Sequence, residues 1–208
     1  MRRAAFPAGR RLIVYYLTHP QVVIDPQIPV PDWQLSDEGR RRVLQALERP
    51  WLRGLRRIVA SRERKAVETA ELIGQALGIP VEPRPGMEEN DRSATGFLPP
   101  PAFEAAADAF FSHPETSWNG WETAAAAQSR IVTAVDRALN ETDTDSPVLL
   151  AGHGAVGALL KCHVAGRAIS RREDQPGGGG NVYAFDPGSR KLLCDWTPLE
   201  EFDGVPDG

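Results

Sequence analysis

Three short apolar runs constrain this chain more than any other feature of its sequence. Leu12 to Leu17, Arg57 to Ala60 and Val148 to Ala151 are rich in Val, Ile, Leu and Tyr and lack strict polar alternation. Runs of that length and composition are the pattern of strands buried on both faces. Helical stretches separate them. Ser36-Asp37-Glu38 supplies an N-cap and first-turn acids for a helix to about Leu47. Ser61 opens another that runs through Leu77 and stops at Gly78. Further helices are expected over about Pro101 to Phe111, Glu122 to Asn140 and Ala155 to Val164. Strands alternating with helices call for a mainly parallel central sheet in a three-layer α/β/α sandwich.

Near the end of the chain, Asn181 to Phe185 and Lys191 to Trp196 flank Asp186-Pro187-Gly188 and read as a hairpin. Residues 80 to 101 are dense in Pro, Gly and charge, which predicts a surface excursion and not a core element; the wider stretch 80–120 is the expected lid. At 208 residues, with 41% hydrophobic and 25% charged, the chain fits one domain over 1–208, its core about 11–196. Two cysteines, Cys162 and Cys194, form neither a disulfide framework nor a C-x-x-C pair, so a reduced, cytoplasmic setting is expected. The basic start, Met1 to Arg11, precedes too short an apolar run for a signal h-region, and no run approaches a membrane span.

The formal net charge of -4 conceals an asymmetry. Residues 1–65 carry 14 of the 24 Lys and Arg but only 6 of the 28 Asp and Glu. That balance argues against nucleic acid as a partner of the whole chain and for a local anion site in its first third. The carboxyl ends of the three runs are where an open α/β sheet places its functional residues. They lead into Thr18-His19-Pro20, Ser61-Arg62 and Gly152-His153-Gly154. No zinc-ligand spacing, no G-x-S-x-G elbow and no P-loop is present, so metal hydrolysis, serine hydrolysis and P-loop chemistry lack support. Histidines and cations beside helix N-termini suit a phosphate.

At these residues the chain resembles the histidine phosphatase superfamily, the phosphoglycerate mutase-like proteins. Thr18-His19-Pro20 stands where that family has Arg-His-Gly, and Leu35-Ser36-Asp37-Glu38-Gly39-Arg40 matches its Leu-Ser/Thr-x-x-Gly-Arg helix start. Ser61 through Lys65-Ala66-Val67-Glu68-Thr69-Ala70, Met87-Glu88-Glu89 and His153-Gly154 follow in the family's order. The resemblance spans roughly residues 11 to 196 and implies a phosphoglycerate mutase-like fold.

It also implies a cofactor-free phosphatase that passes through a phosphohistidine on His19. His153 would be protonated against the phosphoryl oxygens, and Glu89 would serve as acid and base, being preferred to Glu88 by its spacing from Met87. Thr18 replaces the family's arginine before the nucleophile, Pro20 replaces the glycine after it, and Lys65 replaces the second arginine. A lysine offers a point charge and a threonine only a hydroxyl where arginine offers a planar fork. Arg62 and Arg92 are the cations placed to compensate. Expected phosphate ligands are therefore Thr18, Arg62, Lys65 and Arg92, and the expected partner is a phosphorylated small molecule or phosphoprotein. The alternatives are a family member that binds such a ligand without turnover, and a phosphomutase. A homodimer would form through the edge strands 181–196. His113 and His163 read as loop and packing residues. Trp118 and Trp121 read as anchors of the long helix or as a pocket roof, and Phe97 to Pro101 as the lining of a lid.

Overall fold

The computed structural model of the protein describes residues 12–141 and 146–205; the basic stretch ahead of Leu12 lies outside them. The elements in chain order are β1 (Val14–Thr18), α1 (Asp37–Ala46), β2 (Arg57–Ser61), α2 (Arg64–Leu77), β3 (Val81–Arg84) and α3 (Pro100–Ser112), then α4 (Ala124–Asn140), β4 (Val148–Gly152), α5 (Gly154–Val164), β5 (Asn181–Asp186) and β6 (Lys191–Pro198). All six strands lie in one sheet of order β3-β2-β4-β1-β5-β6. β4 is parallel to both β1 and β2, β2 is parallel to β3, and the C-terminal hairpin β5-β6 is added antiparallel to β1.

The sheet is covered on both faces, and the side-chain period of two sorts its residues between two cores. Val14, Tyr16, Val59, Val148, Leu150 and Tyr183 face α3, α4 and α5. Tyr15, Leu17, Ile58, Ala60, Leu149 and Ala151 face α1 and α2. Every residue of β1 and β4 is buried, which is why these strands read as continuous apolar runs. Register then sets the functional edge. Val14 and Arg57 both pair with Val148, so the three strands end level and their following residues emerge side by side.

Ser36 caps α1 through the Gly39 N–H, as the sequence predicts. Gly39 is required for a second reason: a Cβ there would lie 2.2 Å from the Gln21 carbonyl oxygen. Two expectations are corrected. Residues 81–84 form a strand inside the expected excursion. It is a half-buried edge strand containing Pro83, so neither apolar continuity nor alternation marks it. Ser61 is the last residue of β2 and does not open α2, which starts at Arg64; the Ser61 hydroxyl accepts the Glu63 N–H and faces His153 instead of capping. Gly78 ends α2 in the left-handed conformation, φ +68°. Among the described residues no helix is long and apolar enough to cross a membrane.

Candidate active site

The level ends of β1, β2 and β4 open into a cavity of about 580 Å³. His19, Glu89, Arg92, Gln175 and the glycines 177–179 line one side of it, and Phe103, Phe110, Phe111 and Trp121 form an aromatic wall. His19 follows β1 directly, and its N–H donates to the Gly152 carbonyl at 3.0 Å. Its Nδ1 lies 2.8 Å from the Pro20 carbonyl oxygen. A carbonyl only accepts, so Nδ1 carries the proton and Nε2 keeps a free lone pair. Pro20 thus lacks an N–H to offer a phosphate, yet its carbonyl sets the tautomer. Burial and the nearby Lys65 charge push His19 down to about 4, against the opposing Pro20 carbonyl and Glu63. The ring is therefore neutral near pH 7.

The polyglycine segment wraps this histidine. Gly179 sits at φ +64° with its Cα against the His19 carbonyl, where a Cβ would approach to 2.4 Å. Gly180 donates to the same carbonyl at 3.0 Å. Arg42 holds the segment from behind, donating to the Gly179 and Gly180 carbonyls while paired with Glu200.

His153 stands beside His19, ring centroids 5.3 Å apart, but it is fully buried behind the cavity wall. Its Nε2 faces the Ser61 hydroxyl at 2.7 Å, and its Nδ1 has no partner among the described residues. Burial holds its pKa well below the usual range, outweighing the opposing Glu63 carboxylate. Burial thus opposes the proton that the resemblance places on His153, and the Glu63 carboxylate favours it. The flanking glycines have a steric origin. Gly152 lies where a Cβ would meet the Tyr16 hydroxyl, and Gly154 where one would meet the Gln175 amide nitrogen.

Glu89 reaches the N-terminus of α5, where its carboxylate accepts from the Ala155 and Val156 N–H groups at 3.2 and 3.1 Å. The helix dipole favours the anion there. Glu88 turns away and closes a local loop with the Gly86 N–H. Arg130 fixes the turn by donating to the carbonyls of Gly86, Glu88 and Glu89 while paired with Glu122.

The expected phosphate ligands divide. Arg92 lines the cavity, with its guanidinium 5.1 Å above the Phe103 ring and 5.7 Å from that of Trp121. Lys65 is buried, bound to Glu63 and to the Val30 carbonyl. Arg62 is exposed at the end of β2 and does not line the cavity. Thr18 is fully buried and turned toward Gln175 and Asn181. Of the two indoles, Trp121 belongs to the cavity wall and Trp118 packs behind it. Phe97 packs at a tilt against Trp33, 5.7 Å between ring centroids, and α3 lines the cavity through Phe103, Phe110 and Phe111 and not through Phe97 to Pro101.

Three residues important here escaped the sequence reading. Glu63 places a buried carboxylate between Lys65 and the Glu89 N–H, with one oxygen 3.7 Å from His153 Nε2. Its only sequence signal is its position among Arg62, Arg64 and Lys65, where an ordinary surface pair is the natural reading. Gln175 and Asp174 lie on a loop far along the chain and carry no motif. Burial raises Asp174 to about 6. Among the described residues no group of His, Cys, Asp and Glu is arranged to hold a metal ion.

Comparison with known proteins is consistent with this geometry. The chain resembles a mycobacterial glucosyl-3-phosphoglycerate phosphatase solved with inorganic phosphate, at 21% identity and a TM-score of 0.74, covering 92% of this chain and 99% of that one. It also resembles YhfR of Bacillus stearothermophilus, at 19% identity and a TM-score of 0.72, covering 94% and 98%. A Thermus thermophilus protein aligns at 21% identity and a TM-score of 0.60, covering 89% and 99%. At these identities the likeness shows the fold. No curated protein matches by sequence. The family-level match covers residues 25–194, beginning just after the Thr18-His19-Pro20 turn and including Glu89 and His153. With four-fifths of its length so matched, the chain belongs to the histidine phosphatase superfamily, branch 1, and is an enzyme of the phosphatase class.

Proposed function

We propose that the protein is a cofactor-independent phosphomonoesterase that works through a phosphohistidine on His19. The observation that carries this reading is the Nδ1–H to Pro20 carbonyl bond, which leaves a neutral imidazole with its Nε2 lone pair free beside the cavity. Nε2 attacks phosphorus of an ester that enters as its monoanion, the ester P–O bond breaks, and the Glu89 carboxylate relays the phosphoryl O–H proton to the leaving oxygen. Water then attacks the phosphohistidine, Glu89 takes its proton, and the P–N bond breaks to release phosphate and restore His19. Lys65 and Arg92 supply positive charge, and the phosphorylated His19 stands against the His153 ring. The substrate is a phosphorylated small molecule or phosphoprotein whose leaving group faces the aromatic wall. Two cysteines without disulfide partners, Cys162 and Cys194, support a cytoplasmic setting.

The experiment is hydrolysis of an aryl phosphate between pH 4 and 8, roughly the range over which His and Glu titrate. His19→Ala is expected to abolish turnover and the acid-labile phosphoenzyme; a variant with wild-type turnover overturns the mechanism. A second reading, phosphate binding without turnover, is favoured by one feature: Glu63 neutralises Lys65. Phosphate binding by the wild type with no phosphohistidine trapped from a broad panel of esters would select it.

A further inference from the structure

The hydrogen-bond network around Thr18 defines the direction of one amide with unusual completeness. Asn181 Nδ2 lies 3.2 Å from both the Pro176 and the Gly179 carbonyl oxygens. Carbonyls only accept, so that atom is the nitrogen. The same Nδ2 is 3.1 Å from a side-chain atom of Gln175, which must then be an acceptor, Oε1. The Thr18 hydroxyl accepts the Asn181 N–H at 3.0 Å and donates to the same Oε1 at 2.6 Å. Both donors hold the oxygen end of Gln175, and its amino end is turned the other way.

That amino end has no hydrogen-bond partner among the described residues, and Gln175 lines the cavity together with His19, Glu89 and Gly154. Nε2 packs over Gly154 so closely that a Cβ there would be 2.5 Å away. Gly154 begins α5, between His153 and the Ala155 N–H that binds Glu89. Two further N–H donors on a fixed amide are thus aimed into the site at a helix N-terminus, where an oxyanion is favoured.

From this arrangement we infer that Gln175 is a phosphoryl-oxygen ligand, and that Thr18, with Asn181, is a positioning residue that holds its amide. The inference rests on the phosphate-site reading above and extends it. A neutral amide donor, oriented from a buried threonine, stands in for the guanidinium that the residue before the nucleophile would otherwise supply. Thr18 acts through Gln175 and makes no contact with the phosphoryl group.

The test is calorimetric binding of inorganic phosphate to the full chain at pH 7, which needs no turnover. Gln175→Ala, at a half-exposed loop position, is expected to weaken phosphate binding about tenfold, the usual scale for one hydrogen bond to a charged group. Thr18→Val should weaken it several-fold, and Thr18→Ser should restore it, a rescue that loss of packing alone would not give. Gln175→Ala within twofold of wild type, equal losses in Thr18→Val and Thr18→Ser, or no phosphate binding by wild type each overturn the inference. A wild type that binds phosphate through Gln175 but never forms a phosphohistidine overturns the hydrolytic mechanism and leaves this assignment intact. Turnover through phospho-His19 that is indifferent to Gln175 does the reverse.

Discussion

Replacing Glu63 by glutamine separates its contribution to stability from its contribution to the anion site. Its side chain is 7% exposed, against 3% for Lys65, and its carboxylate binds the Lys65 ammonium and the Glu89 N–H at 2.8 Å. Burial, the largest single influence, raises its pKa, and the Lys65 ammonium and the Glu89 N–H act against it to hold the carboxyl below the usual carboxylate range. Breaking a buried pair by removing one charge costs about 3–5 kcal/mol. Because the folded-state pKa is the lower one, the stabilisation is fully present above the unfolded value and is lost as pH falls from about 5 towards 2.

Urea unfolding of wild type and Glu63→Gln at pH 7, 5 and 3 measures the difference directly. The expected result is a gap of about 3–5 kcal/mol at pH 7 that narrows steadily on acidification. A variant as stable as wild type at pH 7, or a gap that does not change with pH, refutes the assignment of Glu63 as the charge partner of Lys65. The same variant frees the Lys65 charge, so phosphate binding should strengthen even as the fold weakens.

Two further outcomes follow from the site. His19, held near 4, should titrate by NMR far below an ordinary histidine, so the acid limb of kcat/KM set by the nucleophile falls near pH 4 and not near 6.5. The same depression makes the neutral ring a source of stability that is complete above about pH 6.5 and lost as pH falls through 4; an ordinary chemical-shift midpoint for His19 contradicts both statements. The two candidate arginines should differ sharply. Arg92→Ala is expected to weaken inorganic phosphate binding by about tenfold or more, and Arg62→Ala by less than about twofold; equal effects would mean that Arg62 reaches the cavity in solution.

The sequence by itself determined the layering and the functional edge of this protein. Buried parallel strands must be apolar along their whole length, so Leu12 to Leu17 and Val148 to Ala151 announce themselves, and residues that follow such strands emerge at one rim. That local logic places His19, His153 and the start of α2 together, while the glutamate that reaches α5 is picked out only by the resemblance of Met87-x-Glu89 to the family's Leu-x-Glu. β3 escaped because an edge strand with Pro83 is buried too little to leave a pattern. The start of α2 was misplaced because a serine can cap a helix or close a turn, and only its neighbours decide which.

Which polar groups meet around the phosphate site was decided by the tertiary structure alone. Gln175 and Asn181 reach Thr18 across more than 150 residues of chain, and Glu63 becomes a buried counter-ion only when β2 lies beside β4. Hydrogen bonds and ion pairs depend on direction and burial, and neither is written in residue order. For the same reason Thr18 and Arg62, adjacent to the right strand ends, do not face the cavity, while Arg92, carried there by a loop, does.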